Sequence, residues 1–133
     1  MLKKRIKYTD YDGNEREEDF YFNLSKAELV ELELTTEGGL EQMIQKITDT
    51  RDMPKLIELF KRLILMSYGE KSENGKRFIK SKELSDAFAQ TEAYSELFME
   101  LATDDKAASE FVNGIVPQGL AEDERLNHPA LTE

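Results

Sequence analysis

The chain has 133 residues, with 28 acidic and 18 basic side chains and a net charge of −10. Leu, Ile, Val and Phe make up about a quarter of it, which is enough for one folded domain with one core. The charge argues against general binding to nucleic acid or anionic membranes, and zero cysteines with one histidine exclude disulfide scaffolds, thiolate metal sites and histidine clusters. No apolar run reaches the roughly 18 residues of a membrane span, and the charged start MLKKRIKY has no apolar stretch behind it to make a signal peptide.

Residues 1–9 carry Lys3, Lys4, Arg5 and Lys7 and no acid, whereas residues 10–20 carry six acids against Arg16. Between these blocks lies Asp12-Gly13-Asn14, flanked by Ile6-Lys7-Tyr8 and Phe20-Tyr21-Phe22. Apolar and aromatic runs around an Asp-Gly turn predict a β-hairpin over 1–23. A basic strand beside an acidic one adds cross-strand attraction.

Ser25-Lys26-Ala27-Glu28 has the form of a capping box, so a helix is expected from Lys26. The period-2 pattern of Val30 to Leu34 makes a strand the competing reading. Capping, with Leu29 and Leu32 on one face, favours the helix. Gly38-Gly39 breaks the chain, and Leu40, Met43, Ile44 and Ile47 space like one face of a second helix. Asp52-Met53-Pro54 reads as a cap and an early-turn proline, opening a helix to about Tyr68. Leu56, Ile57, Phe60, Leu63 and Ile64 are expected on its inner face. Leu59, Leu65 and Met66 spread apolar surface around the rest, which places the helix at the centre of the fold or against a partner.

Gly69 is expected to end that helix and to begin a polar, locally basic linker to Lys80, with a turn at Asn74-Gly75. Ser81 caps a short helix holding Leu84, Ala87 and Phe88. Thr91 caps the next, whose Tyr94, Leu97, Phe98 and Leu101 follow helical spacing. A last helix runs from about Asp105 to Asn113 and stops at Gly114. The fold expected is α+β: a hairpin over 1–23 packed on a mainly helical part over 25–114, forming one domain over 1–117. Residues 118–133, acidic and aperiodic, read as a flexible tail.

Three candidate chemistries fail on spacing or context. Asp10, Asp12 and Asn14 start like a calcium loop, but its sixth and twelfth positions hold Glu15 and Tyr21 in place of Gly and Glu. Gly69 to Lys76 has five residues between glycines where a phosphate loop has four, and Arg77 stands where Ser or Thr belongs. His128 lies in the predicted tail, where no third group holds it as a catalytic base. No enzyme activity, cofactor, metal or small-molecule substrate is expected. Glu92, Glu96 and Glu100 fall on one helix ridge, followed by Asp104 and Asp105, an arrangement that costs an isolated helix a few tenths of a kcal/mol per like-charge pair. The ridge is either a solvated face or an acidic docking surface for a basic partner.

The strings Leu65-Met66-Ser67-Tyr68-Gly69-Glu70-Lys71-Ser72, Gly75-Lys76-Arg77-Phe78-Ile79-Lys80, Phe88-Ala89-Gln90-Thr91-Glu92-Ala93-Tyr94-Ser95, Leu97-Phe98-Met99-Glu100-Leu101 and Phe111-Val112-Asn113-Gly114-Ile115-Val116-Pro117 stand in this order. Together they resemble the tail assembly chaperones of long-tailed (siphovirus-type) bacteriophages, in particular those of phages and prophages of Gram-positive hosts. The resemblance spans about residues 1–117. It implies a non-catalytic assembly factor of the host cytoplasm, absent from the mature virion, that binds the tape measure protein, keeps it soluble and recruits tail tube protein. It also implies a possible longer product made by frameshifting.

A tape measure protein is a long helical chain with apolar stripes, so an apolar groove with a charged rim is the expected docking device. Leu59, Met66, Tyr68, Tyr94 and Phe98 are the candidate lining and Glu96 and Glu100 the candidate rim. Met43, Met66 and Met99 would make such a surface adaptable. Ordinary core packing is the competing reading for the apolar members. The hairpin edges need cover or a partner strand, which allows a homo-oligomer. Two other functions compete: a structural tail or head–tail joining component, and a small acidic inhibitor of a host protein.

Overall fold

The computed structural model describes residues 1–39, 42, 45, 46 and 49–117. Strands β1 (Leu2–Thr9) and β2 (Glu15–Phe22) form the expected hairpin, with Leu2 opposite Phe22 and Thr9 opposite Glu15. Its turn is built by Asp10, whose Oδ1 accepts the amides of Asp12 and Asn14, both at 2.9 Å. Gly13 sits there at φ 84°, a left-handed conformation that glycine adopts without strain. The charge blocks meet across the strands: Arg5 pairs with Glu17 at 2.7 Å and with Asp19 at 3.1 Å.

The remaining elements are α1 (Lys26–Thr35), α2 (Met53–Ser67), β3 (Tyr68–Lys71), β4 (Phe78–Ile79), α3 (Lys82–Ala89), α4 (Glu92–Thr103) and α5 (Asp105–Ile115). Ser25 and Glu28 make the complete capping box of α1, which resolves the competition between helix and strand. Asp52, Ser81 and Thr91 cap α2, α3 and α4 as their sequences predict. Leu40, Met43, Ile44 and Ile47, expected on a second helix face, lie outside the described residues, as do residues 118–133.

The segment after Tyr68 departs from expectation. Gly69 does not stop α2, which ends at Ser67; it belongs to β3, where it pairs with Tyr21. The predicted linker folds into a second hairpin, and the four strands form one antiparallel sheet in the order β1-β2-β3-β4. Glycine is required at 69 because a Cβ would lie 2.7 Å from the Ile79 carbonyl oxygen and from the Phe78 ring. The last helix likewise passes through Gly114 to Ile115, because leaving out a side chain there lets Leu2 pack against it.

Helices α4 and α5 cover one face of β1, while α2 packs on α3 and α4. The core between them holds Ile6, Phe22, Leu24, Ile64, Leu97, Leu101, Phe111 and Ile115. Two backbone bonds fasten the layers, from Asn23 N–H to Ser67 O and from Leu24 N–H to Ile115 O, both 2.8 Å. The buried side of α2 is rotated from the expected one. Leu59 is 7% exposed and lies in the core, whereas Ile57 is 40% exposed. Ser67, also buried, donates its hydroxyl to the Leu63 carbonyl at 2.6 Å and so brings no unpaired polar group inside.

Candidate protein-docking surfaces

Aromatic side chains from four elements meet around Phe88. The Tyr68 ring stacks on it at 4.3 Å and 9°, and the Tyr94 ring meets it edge-on at 5.9 Å. Phe98 follows Tyr94 one helical turn later at 6.0 Å, while Phe20 and Phe22 close the inner side at 5.3 and 5.7 Å. Three expected docking residues, Tyr68, Tyr94 and Phe98, are therefore brought into one cluster. Each is half-buried: its inner edge is core and its outer edge reaches solvent. Burial, with Glu70 nearby, pushes the Tyr68 hydroxyl above its usual pKa, and burial does the same for Tyr94.

The other expected members separate. Leu59 is inside and presents no docking surface, and Met66 is half-buried against the core. Glu100 forms an ion pair with Lys4 of β1 at 2.8 Å, and Glu92 at the start of α4 pushes the hydroxyl of Tyr11, at the hairpin turn, above its usual pKa. Asp104 caps α5 by accepting the amides of Lys106 and Ala107. Most of the acidic ridge thus has a structural use: it ties α4 to the hairpin and starts the next helix. Glu96 stays exposed on the ridge, as does Asp105 in the first turn of α5. Beside Glu96, Met99 is 56% exposed, next to Phe98 on the same helix.

Further exposed apolar side chains lie on α1 and the start of α2: Leu34 at 66%, Met53 at 50% and Ile57. Sequence spacing placed Ile57 inside and left Leu34 ambiguous. The only signal for Leu34 was the alternation that also suggested a strand.

A third feature is an open depression of about 430 Å³ between β2 and β3, lined by Glu18 to Tyr21 and Tyr68 to Lys71. Lys71 Nζ lies 4.7 Å from the Tyr21 ring centre at its edge. Among the described residues, no group of three or more His, Cys, Asp or Glu side chains could hold a metal ion. No described helix is long and apolar enough to cross a membrane.

The described residues thus form a small α+β fold that carries half-buried aromatics and exposed methionines at its surface. Residues 1–131 match the sequence model of a family described as phage tail assembly chaperone, and the chain belongs to that family. No curated protein and no solved structure matches it significantly.

Proposed function

We propose that the protein is a non-catalytic chaperone that binds the tape measure protein of a long-tailed phage of a Gram-positive host. It keeps that protein soluble in the host cytoplasm, helps recruit tail tube protein around it, and is left out of the finished virion. The observation that carries this reading is the apolar stripe of α4 in a chain of this family. Tyr94 and Phe98 offer their outer edges there, Met99 stands clear of the surface, and Glu96 supplies charge beside them.

An amphipathic helix of the tape measure protein would lay its apolar side on this stripe. The unbranched Met99 side chain adapts to successive, non-identical helical segments, which a chaperone for a very long chain must accept. Met66 and Tyr68 extend the apolar surface toward α2 and β3. Leu34, Met53 and Ile57 offer further exposed apolar side chains for the same partner or for the tube protein.

The test is co-expression with the tape measure protein of the same phage, followed by a soluble-fraction assay and affinity pull-down. Tape measure protein that becomes soluble and co-purifies with several copies of this chain supports the reading. Tape measure protein that stays insoluble and unbound rejects it for this chain acting alone. Mass spectrometry of purified virions separates a chaperone, which is missing from them, from a structural ring component, which is present.

A further inference from the structure

One aromatic ring stands in solvent without serving the fold. Tyr11, 75% exposed, occupies the turn of the first hairpin. Asp10 holds that turn: its Oδ1 accepts the amides of Asp12 and Asn14, its carbonyl accepts the Gly13 amide at 3.0 Å, and its own N–H donates to Asn14 O at 2.9 Å. The Arg16 guanidinium ties to the same Asp10 carboxylate. None of these bonds uses the Tyr11 side chain, and the residues that favour turns are Gly, Pro, Asn, Asp and Ser. The tyrosine is an amphipathic ring on a fixed mount, and such rings anchor protein interfaces.

The mount stands at one end of α4. Glu100 pairs with Lys4 near the start of β1. The Glu92 carboxylate, on the first residue of α4, is near enough to Tyr11 to push its hydroxyl above the ordinary pKa. The helix therefore begins at the hairpin tip and runs back along β1. Met99, seven residues after Glu92, leaves the helix in nearly the same direction two turns, or about 10.5 Å, further on. It is 56% exposed. Between them, one turn from Glu92, lies Glu96, exposed and in no ion pair with a described residue.

An apolar anchor, a carboxylate and a second apolar anchor thus follow one another along the exposed side of α4. Residues at i, i+3 or i+4, and i+7 of any helix share a face. A helix laid beside α4 can therefore set one apolar side chain on Tyr11, the next on Met99, and a lysine or arginine between them on Glu96. We infer that Tyr11 and Met99 are the two anchors of a docking site for a partner helix with apolar residues at i and i+7 and a basic residue at i+3 or i+4. The inference rests on the proposed docking of a helix along α4 and carries that surface to the hairpin tip. A second copy is a poor occupant, because its own α4 would bring Glu96 against Glu96.

The experiment is an amide NMR titration of the full chain with an end-capped, alanine-based helical peptide of about 20 residues. It carries two leucines at i and i+7 and lysine between them on the same face; the control has the same composition with its leucines on opposite faces. The amides of Tyr11, Glu96 and Met99 should shift with the first peptide, and the control should bind about tenfold more weakly. Tyr11→Ser should leave the melting temperature unchanged and weaken the first peptide by about the same factor; if it does lower the melting temperature, Glu96→Lys carries the test. Equal binding by wild type and Tyr11→Ser, equal binding of both peptides, or no shifts at millimolar peptide would overturn the inference. So would concentration-dependent shifts of Tyr11 without peptide, which would assign the surface to a second copy. Tape measure protein that co-purifies equally with wild type and Tyr11→Ser would overturn the inference and leave the chaperone reading standing. Peptide binding at Tyr11 without any tape measure co-purification would uphold the inference and reject that reading.

Discussion

Lys80 Nζ donates to both carboxylate oxygens of Glu28, each at 2.8 Å, fastening the first turn of α1 to the residue that follows β4. The same carboxylate accepts the Ser25 amide at 2.8 Å and so completes the capping box. Burial alone would raise the Glu28 pKa, but the bonds from Lys80 and the Ser25 amide outweigh it and hold the carboxyl below its ordinary 4.5. A group whose folded pKa is depressed stabilises fully above its unfolded pKa and loses that contribution as pH falls through the folded value. Glu28→Gln keeps an acceptor and removes the charge. Its melting temperature should lie below wild type at neutral pH, and the difference should shrink as pH falls from about 5 to about 3. A difference that stays constant through that window would remove the ionised carboxylate from the account.

Gly69 should be the least replaceable of the described glycines. An alanine methyl there meets the Ile79 carbonyl and the Phe78 ring, neither of which can retreat without breaking the β3–β4 pairing. Gly69→Ala should cost about 1–3 kcal/mol in denaturant unfolding. Gly114→Ala meets the end of the Leu2 side chain at 2.9 Å, which can move, and gains up to about 1 kcal/mol of helix propensity. Its measured change should be the smaller of the two.

Local chemistry made most of this fold legible. The Asp12-Gly13 turn and the caps at Ser25, Asp52, Ser81 and Thr91 act within a few residues of themselves, so the sequence displays them directly. The β3–β4 hairpin was not legible, because Tyr68–Lys71 and Phe78–Ile79 are only four and two residues long and exist as strands through pairing, β3 beside β2 and β4 beside β3. The rotation of α2 was equally hidden: a helix with apolar residues nearly all round does not say whether Leu59 or Ile57 faces in. Of the candidate site, the aromatic stripe on α4 followed from helical spacing. The use of Glu100 did not, since its partner Lys4 lies at the opposite end of the sequence.

Glu100 and Glu96 should therefore behave differently when changed. Glu100→Ala removes a partly exposed ion pair and should cost at most about 1 kcal/mol, with tape measure binding retained. Glu96→Lys should leave the melting temperature within error and weaken binding. Both are read by thermal unfolding alongside the co-expression pull-down. Binding lost with Glu100→Ala but not with Glu96→Lys would move the rim to the hairpin side of α4.

The apolar stripe can be separated into support and contact. Phe98→Ala removes ring packing against Tyr94 and the core, and should cost about 3 kcal/mol or somewhat less because the ring is only half-buried. Met99→Asp changes a side chain that is mostly in solvent, so the fold should persist while co-purification of the partner is lost. Retained co-purification with Met99→Asp would shift attention to Leu34, Met53 and Ile57.

The bond from Leu24 N–H to Ile115 O, with Leu2 resting against Gly114, joins the first hairpin to the last helix. A nascent chain can form that hairpin early, since its contacts are local, but must wait for nearly all of the domain before α4 and α5 arrive to cover it. While it emerges from the ribosome, the protein carries an uncovered apolar sheet face of its own. Its yield in the cell should then depend on how quickly translation passes residue 115, and slowing codons placed in α5 should cost more soluble protein than the same codons placed in β2.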